Sequence, residues 1–477
     1  MNLKPYPEYK DSGVQWLGDV PKHWDILRAK HVFKTIDIRS KNGTEELLSV
    51  SGRLGVSPRK NVNVTMFKAE SYVGYKLCWS GDLVVNSLWA WMQGLGFSKH
   101  HGIISSAYGV YRLSKELSND FKFFDYLLRS NAYLWELRVN SKGIWRSRYQ
   151  LTDDSFFCIP IIIPESEDRK KISRFLDYKT TQIARFIKAK KQMIELLKEQ
   201  KQVIINDAVT GKIVIKDEGG RLKAEKRPDS SFIPHPSSFL QTVPEGWEVK
   251  RIKSISHIRY GLGQPPKEKE DGLPLIRATN VDHGKIVIKD LLRIDINDVP
   301  ASRDAVLREG EIIVVRSGAY TADSAIIPKE YTGSVAGYDM VMTVFKAMPE
   351  YVALALLSKY LRDDQLIQAS MRAAQPHLNK EELGSSFIIL PQNEEQEIIV
   401  LVTEKKLNAL AQAISRTERE IALMQEYRTR LISDVVTGKI DVRDIEIPDI
   451  AGIDDTIDES IDEPDGEEEL ETAEAEE

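Results

Sequence analysis

Apolar residues recur at alternating spacings of three and four along two long, charged stretches of this 477-residue chain. In the later stretch the positions are Leu407, Leu410, Ile414, Thr417, Ile421, Met424, Arg428, Leu431 and Val435. In the earlier one they are Thr180, Ile183, Ile187, Lys190, Ile194, Leu197, Lys201, Ile204 and Ala208. This is heptad spacing and predicts a helix with one apolar seam, and polar residues interrupt both seams at matching places, Lys190 with Thr417 and Lys201 with Arg428. No Gly or Pro intervenes before Thr210-Gly211 and Thr437-Gly438. The predicted helices, about Glu167 to Ala208 and Glu394 to Val435, have about 40 residues and a length of about 60 Å. A stripe this long has to be covered. The simplest cover is the other copy, in an intramolecular coiled coil; the alternative is that each helix lies on its own globular segment.

The two stretches belong to a longer duplication. DAVTGKI (Asp207 to Ile213) returns as DVVTGKI (Asp434 to Ile440), and the offset of 227 holds without a gap back through Pro164 and Pro391 to Leu151 and Leu378. Upstream, VPKHWDILRAK (Val20 to Lys30) answers VPEGWEVKRIK (Val243 to Lys253), and SGDLVVNS (Ser80 to Ser87) answers EGEIIVVRS (Glu309 to Ser317) with one residue inserted. Each half is therefore a globular segment, then a helix, then VTGKI. The boundaries read as 1–163 and 241–390 for the globular segments, 164–212 and 391–440 for the helical spacers, 213–240 for a linker rich in Gly, Pro, Ser and charge, and 441–477 for a tail. Each globular segment opens on a VPxxW turn, whose Trp24 and Trp247 read as core anchors, and carries short apolar strands bounded by glycine. A mixed sheet with a few helices suits that pattern. FFCIPIIIP (Phe156 to Pro164) reads as a buried strand.

Charge is unevenly placed. The last 33 residues hold 16 Asp or Glu and no Lys or Arg, and without them the chain has 66 basic against 56 acidic residues, a net of +10. The acidic tail is expected to be disordered, since it cannot bury apolar surface. The basic excess lies in the N-terminal half. No apolar run approaches the roughly 20 residues of a membrane helix. With no apolar leader at its start and only Cys78 and Cys158, the chain reads as cytoplasmic and reduced.

The chemistry of reaction is missing from the motifs. The repeated Gly-Lys is no phosphate loop, because there the strand precedes GxxxxGK, Ser or Thr follows it, and the helix starts at that point. Here the helix comes first and Ile follows. Gly211 and Gly438 read instead as helix terminators, with Lys212 and Lys439 at the negative end of the dipole. There is no HExxH, no GxSxG and no dinucleotide glycine pattern; His100 and His101 read as a surface loop and EKEDG (Glu268 to Gly272) as a solvated turn. No metal site is expected.

Binding chemistry is present in loops. In the first segment Asn86, Ser87, Trp89 and Lys99 lie just past a predicted strand, and Arg146, Arg148 and Gln150 occupy alternate positions. In the second, Arg277, Asn280, Arg316, Ser317, Tyr320 and Arg372 are comparable. Arg suits guanine edges, Asn and Gln suit adenine, and Lys, Ser and Thr suit phosphates. Loops of any protein are polar, so this signal gains force only from the duplication, which offers two similar heads with different loops.

SGVQWLGDVPKHWDI, VPEGWEVKRI, AQPHLNKEELGSSFIILPQNEEQEII and LISDVVTGKIDVR resemble the specificity subunit of type I restriction-modification systems. The resemblance covers nearly the whole chain apart from the acidic tail. It implies an α+β protein in which two mixed α/β target recognition domains alternate with two long helices, paired as an antiparallel coiled coil in a pseudo-twofold internal repeat. It implies no catalysis by this chain and no cofactor bound to it. Double-stranded DNA with an asymmetric bipartite target would be one partner. Two modification subunits, which methylate adenine with S-adenosylmethionine, would be others, joined in the restricting complex by two motor and nuclease subunits that need ATP and Mg2+. Gln375, Pro376 and His377 would be scaffold leading into the second spacer. The first copy departs there, with RYQ at Arg148 to Gln150. The seam residues Ile183, Ile187, Ile194, Leu197, Ile204, Leu407, Leu410, Ile414, Ile421, Met424 and Leu431 would hold the helices together. A self-contained nuclease or methyltransferase, and a coiled-coil scaffold indifferent to sequence, are the competing readings.

Overall fold

A computed structural model describes residues 4–52, 54–61, 71–143, 149–217, 222–235, 240, 242–264, 266–371 and 376–448. The chain forms two compact units, Met1–Lys191 with Glu418–Glu477, and Gln192–Thr417. Each unit therefore takes one head, part of the first long helix and part of the second. No helix among the described residues is long and apolar enough to cross a membrane.

The first head is built on a four-stranded antiparallel sheet in the order Phe33–Thr35, Gly109–Leu113, Asp82–Val85, Leu95–Phe97. The second repeats that order with Ser256–Tyr260, Met340–Val344, Ile312–Val314 and Ser324–Ile326. A two-stranded ribbon stands beside each sheet, Asp25–Arg28 with Pro160–Ile163 and Glu248–Arg251 with Phe387–Leu390. The second head adds a three-stranded sheet containing one parallel pair, so it is mixed. Tyr133 and Tyr360, also 227 apart, use their buried hydroxyls alike, each accepting the N–H of the ribbon strand, from Ile162 at 3.2 Å and Ile389 at 3.3 Å. The duplication is thus carried down to single hydrogen bonds.

The long helices run Ser166–Val209 and Asn393–Val436, within one residue of the bounds the seam predicts. In the first unit the early turns of one helix lie against the late turns of the other, an antiparallel pairing joined by a Lys190–Glu420 ion pair at 2.7 Å. That pair gives the polar seam position Lys190 its partner. Ile183, Ile187, Ile194, Ile421 and Leu431 are buried, and Leu197, Ile204, Leu407, Leu410, Ile414 and Met424 are half-buried. Near the end of the first helix burial passes to Ile205, Ala208 and Val209, which join the core of the second head. Lys201, half-buried there, has its ammonium pKa lowered, by burial first and by Lys285 second.

The repeated DxVTGK phrase is a complete helix stop. Gly211 and Gly438 adopt left-handed φ of 69° and 80°. Their N–H groups reach back three residues to Ala208 and Val435, while the N–H groups of Lys212 and Lys439 reach back five to Asp207 and Asp434. These are the two bonds of the Schellman motif. Thr210 and Thr437 return their hydroxyls to the carbonyls of Asn206 and Ser433, both at 2.7 Å. The lysine ammoniums lie 3.6 and 3.5 Å from the carboxylates of Asp207 and Asp434, which explains the leading Asp.

Each stop is seated on a VPxxW turn. Gly438 lies on Pro21 and Trp24, and Gly211 on Pro244 and Trp247, so the helix leaving one half of the sequence ends on the turn that opens the other. The same indoles donate to an acid in the first turn of the helix of their own half, Trp24 to Asp168 at 3.1 Å and Trp247 to Glu395 at 3.0 Å. The glycine carbonyls are taken by Tyr9 Oη at 3.0 Å in one unit and Arg227 Nε at 2.7 Å in the other.

Four local expectations differ. The segment read as a disordered tail from 441 begins packed, with Val442, Ile445 and Ile447 on the first core and Asp441 bridged to Lys4. Within FFCIPIIIP only Pro160–Ile163 is a strand; Phe156 to Cys158 close a short helix, Asp153–Cys158, because Thr152 caps it and two aspartates fill its first turn. The segment read as a linker carries a hairpin, Ile213–Asp217 with Leu222–Lys226, and the strand Phe232–Pro234. Ile213 and Ile215 alternate in strand period and pack on the second core, which outweighs the polar composition. EKEDG is the exposed start of the strand Glu268–Ile276, bulged against its neighbour, and not a turn.

A Cβ on Gly438 would overlap the Pro21 ring and lie 2.8 Å from Trp24 Cζ3. Gly438→Ala should therefore cost more than the roughly 1–2 kcal/mol of a left-handed non-glycine residue. Gly211→Ala should behave alike on Pro244 and Trp247, and denaturant titration of each full-length variant checks both.

Candidate nucleic-acid interface

Asn86, Ser87, Trp89, Arg316, Ser317 and Tyr320, of the predicted reading residues, sit where the central strand of each sheet ends. In the second head that strand runs straight into Arg316. Its carbonyl accepts the N–H of Leu378 at 2.7 Å, and its own N–H donates to the Asp339 carboxylate at 3.2 Å. The guanidinium lies between two tyrosine rings, 4.6 Å from the centroid of Tyr260 and 4.3 Å from that of Tyr338. Nη2 donates to His377 Nε2 at 3.0 Å. An arginine can only donate, so in this bond Nε2 of His377 is the acceptor. Arg277 belongs to the same surface, because its Cγ faces Gly337, the residue before Tyr338, and its Nη2 donates to the Asp290 carbonyl at 2.7 Å. Ser317 pairs with His377 through the backbone, and Tyr320 is 49% exposed on the adjoining turn.

In the first head the equivalent carbonyl belongs to Ser87, which accepts the N–H of Leu151 at 2.9 Å. The ladder therefore superposes Ser87, not Asn86, on Arg316, one residue away from the match of NS to RS. Beyond it the loop folds tightly. Asn86 N–H reaches the Gly94 carbonyl at 2.8 Å, and Gln93 takes a left-handed φ of 62°. Trp89 and Trp91 stack at 6.0 Å and 14°, Tyr149 meets Trp91 edge-on at 5.9 Å, and Arg138 Nε donates to the Trp91 carbonyl at 3.0 Å. Asn86, Ser87, Trp89 and the strand of Tyr149 and Gln150 are thus brought together. Gln150 is exposed and pairs with Lys142 through the backbone, and Lys99 is exposed on a separate turn. Arg146, Arg148, Arg372 and Gln375 lie outside the described residues.

Three expectations are corrected by burial. Asn280 is fully buried, and its amide serves the Arg277 N–H and the carbonyls of Val287 and Lys289, so it fastens its own loop. Asn86 is buried, donating to Tyr108 Oη and accepting from the Leu88 N–H. Ser87 donates to the Ala107 carbonyl at 2.9 Å. These side chains shape the loops, because a short polar group beside buried backbone is consumed by it. His377, placed with the scaffold by sequence, is at the centre of the second surface. Tyr260 and Tyr338 carried no sequence signal beyond lying next to glycines at strand ends, and Asp339 carried none.

Among the described residues one group, Asp282, His283 and Asp323, brings three metal-type ligand atoms within 4.8 Å. Its charges are already answered, with His283 Nδ1 at 2.8 Å from Asp282 and both aspartates acting on Lys201.

The family described as type I restriction modification DNA specificity domain matches residues 244–420. The specificity subunit of the type I restriction enzyme EcoBI from Escherichia coli is 24% identical over 290 residues, 58% of each chain. That of EcoKI from Escherichia coli strain K12 is 21% identical over 322 residues, 65% of this chain and 64% of the other. These matches thus span under two thirds of either relative. A solved chain from work on complex assembly and conformational transition of the type I R-M system shares the fold, with a TM-score of 0.59, 16% identity, and coverage of 87% of this chain and 98% of that one. Fold and surface define a protein with two mixed α/β heads and a pair of long spacer helices. Residues 244–420 match the type I restriction modification DNA specificity domain, and the chain is similar to specificity subunits of type I restriction enzymes.

Burial pushes the Asp339 carboxyl up to about 6 from 3.8, against the lowering effect of the Arg316 N–H and guanidinium. Because the folded state raises this acid, stability is intact below the ordinary carboxylate range and is lost as pH rises through about 6. Asp339→Asn should therefore stabilise the protein at pH 7 to 8 by on the order of 1–3 kcal/mol. The gain should vanish below about pH 4 in a pH series of denaturant titrations.

Proposed function

We propose that this chain is the DNA-reading, assembly-organising subunit of a type I complex and recognises an asymmetric bipartite target. Each head reads one part of the target, and the spacer helices set the distance between the parts. The chain performs no chemistry. Two modification subunits supply adenine methylation with S-adenosylmethionine, and in the restricting complex two motor and nuclease subunits supply ATP- and Mg2+-dependent cleavage. The observation that carries this reading is one ladder with two chemistries: the same backbone bond is made at Ser87 beside a tryptophan stack and at Arg316 between tyrosines. A shared frame with different side chains at its reading end is what two unlike half-sites require.

Recruitment is supported by apolar side chains the helix pairing leaves uncovered. Met193, Leu196 and Val203 are exposed on the first helix within the second unit, and Leu423 and Tyr427 on the second helix within the first. Large exposed apolar groups at helical spacing suit a protein partner.

The test is the map of methylated adenines in DNA from cells carrying the complex. Exchanging residues 1–163 for another head should change one part of the methylated sequence and leave the other. An unchanged map would leave only a scaffold role, and methylation or cleavage by the purified chain alone would make it an enzyme. Adding one heptad to each helix lengthens it by about 10 Å, or about three base pairs. The spacing between the two parts of the target should grow accordingly.

A further inference from the structure

Three arginines of the second head, Arg259, Arg308 and Arg362, are ion-paired within it. Arg259 makes a two-pronged bond to Glu311 at 2.6 and 2.7 Å, and Arg308 is tied to Asp304 at 2.6 Å. Arg316 differs. Among the described residues it forms no ion pair: two aromatic faces and the Nε2 of His377 lie against its guanidinium, and the buried Asp339 carboxyl acts on it from beyond ion-pair distance. Its Nε is buried without a partner, and among the described residues no bond is formed by Nη1 or by the second hydrogen of Nη2. The backbone on both sides is fixed by Asp339 and Leu378. Tyr338 is 48% exposed, which sets this cradle at the surface.

Resting on the proposed DNA-reading role, we propose that Arg316 is a specificity-determining residue that reads the O6/N7 edge of one guanine, and that His377 is the residue positioning it. Two rings fix the plane of the guanidinium, and His377 fixes its rotation within that plane. The donors are then presented to a planar edge with two acceptors, and the side-chain entropy of ordering them is already spent in the free protein. Guanine is the base that shows two acceptors side by side in the major groove. A phosphate needs no such fixed plane and is served by mobile lysines. At the corresponding ladder position the first head has Ser87, so this contact belongs to the part of the target assigned to the second head.

The experiment uses the chain assembled with its modification subunits and the target mapped from cells. Each guanine in the part of the site that changes when residues 241–390 are exchanged is replaced in turn by 7-deazaguanine, which lacks the N7 acceptor. The wild-type complex should lose about tenfold to a hundredfold in affinity at one of these guanines. Arg316→Ala should lose as much on unmodified DNA, accept other bases at that position, and be indifferent to the 7-deaza replacement. His377→Ala should relax the same base pair, and His377→Gln, which keeps an acceptor, should restore it. A uniform loss on all sequences with a shallower salt dependence and near-wild-type behaviour of Arg316→Lys would make Arg316 a phosphate contact and overturn the proposal. Full tolerance of every 7-deazaguanine by the wild-type complex would overturn it even if the variants misfold. A wild-type complex with no target preference would instead defeat the DNA-reading role itself.

Discussion

The structure depends on one indole in each unit. Trp24 and Trp247 each hold two helix ends at once, donating to an acid in the first turn of one long helix and covering the glycine that ends the other. A buried indole N–H must find an acceptor, and a helix N-terminus favours the acid that supplies it. The glycine can approach because it has no Cβ and accepts the left-handed backbone. In each unit the junction thus ties together segments that the sequence places in opposite halves. It fixes the pairing of the seams before any individual heptad contact is counted.

What the two heads then present is variation on a constant ladder. Strand order, the ribbon beside the sheet, the tyrosine hydroxyl on the ribbon and the backbone bond at Ser87 or Arg316 are common to both. The side chains past that bond are not. One head packs Trp89, Trp91 and Tyr149 into a rigid loop, and the other clamps a single guanidinium. A frame made of backbone hydrogen bonds tolerates this, since it does not consult the residues at its ends.

Much of this was legible in the chain. The seam period located the end of each helix to within a residue, and the duplication announced two heads of one topology. The binding residues were legible only as a type of chemistry. Asn86, Ser87 and Asn280 have the right groups for a base edge, but in the fold those groups are taken up by neighbouring backbone. His377 looked like scaffold because its motif leads into a helix, yet the turn that does so passes Arg316. Asn280 is fastened within its own loop, but the other outcomes depend on contacts between residues 20 to 61 positions apart, for which local pattern carries no sign.

The sequence by itself determined the repeat, the length and end of each long helix, and the absence of familiar catalytic motifs, because periodicity, glycine placement and motif spacing are local properties. The tertiary structure alone decided which half each helix end is seated on, which polar loop groups remain available, and that the Arg316 guanidinium is clamped between tyrosines with no carboxylate at ion-pair distance among the described residues. Those are questions of burial and of who hydrogen-bonds whom, and they are settled only when distant segments meet.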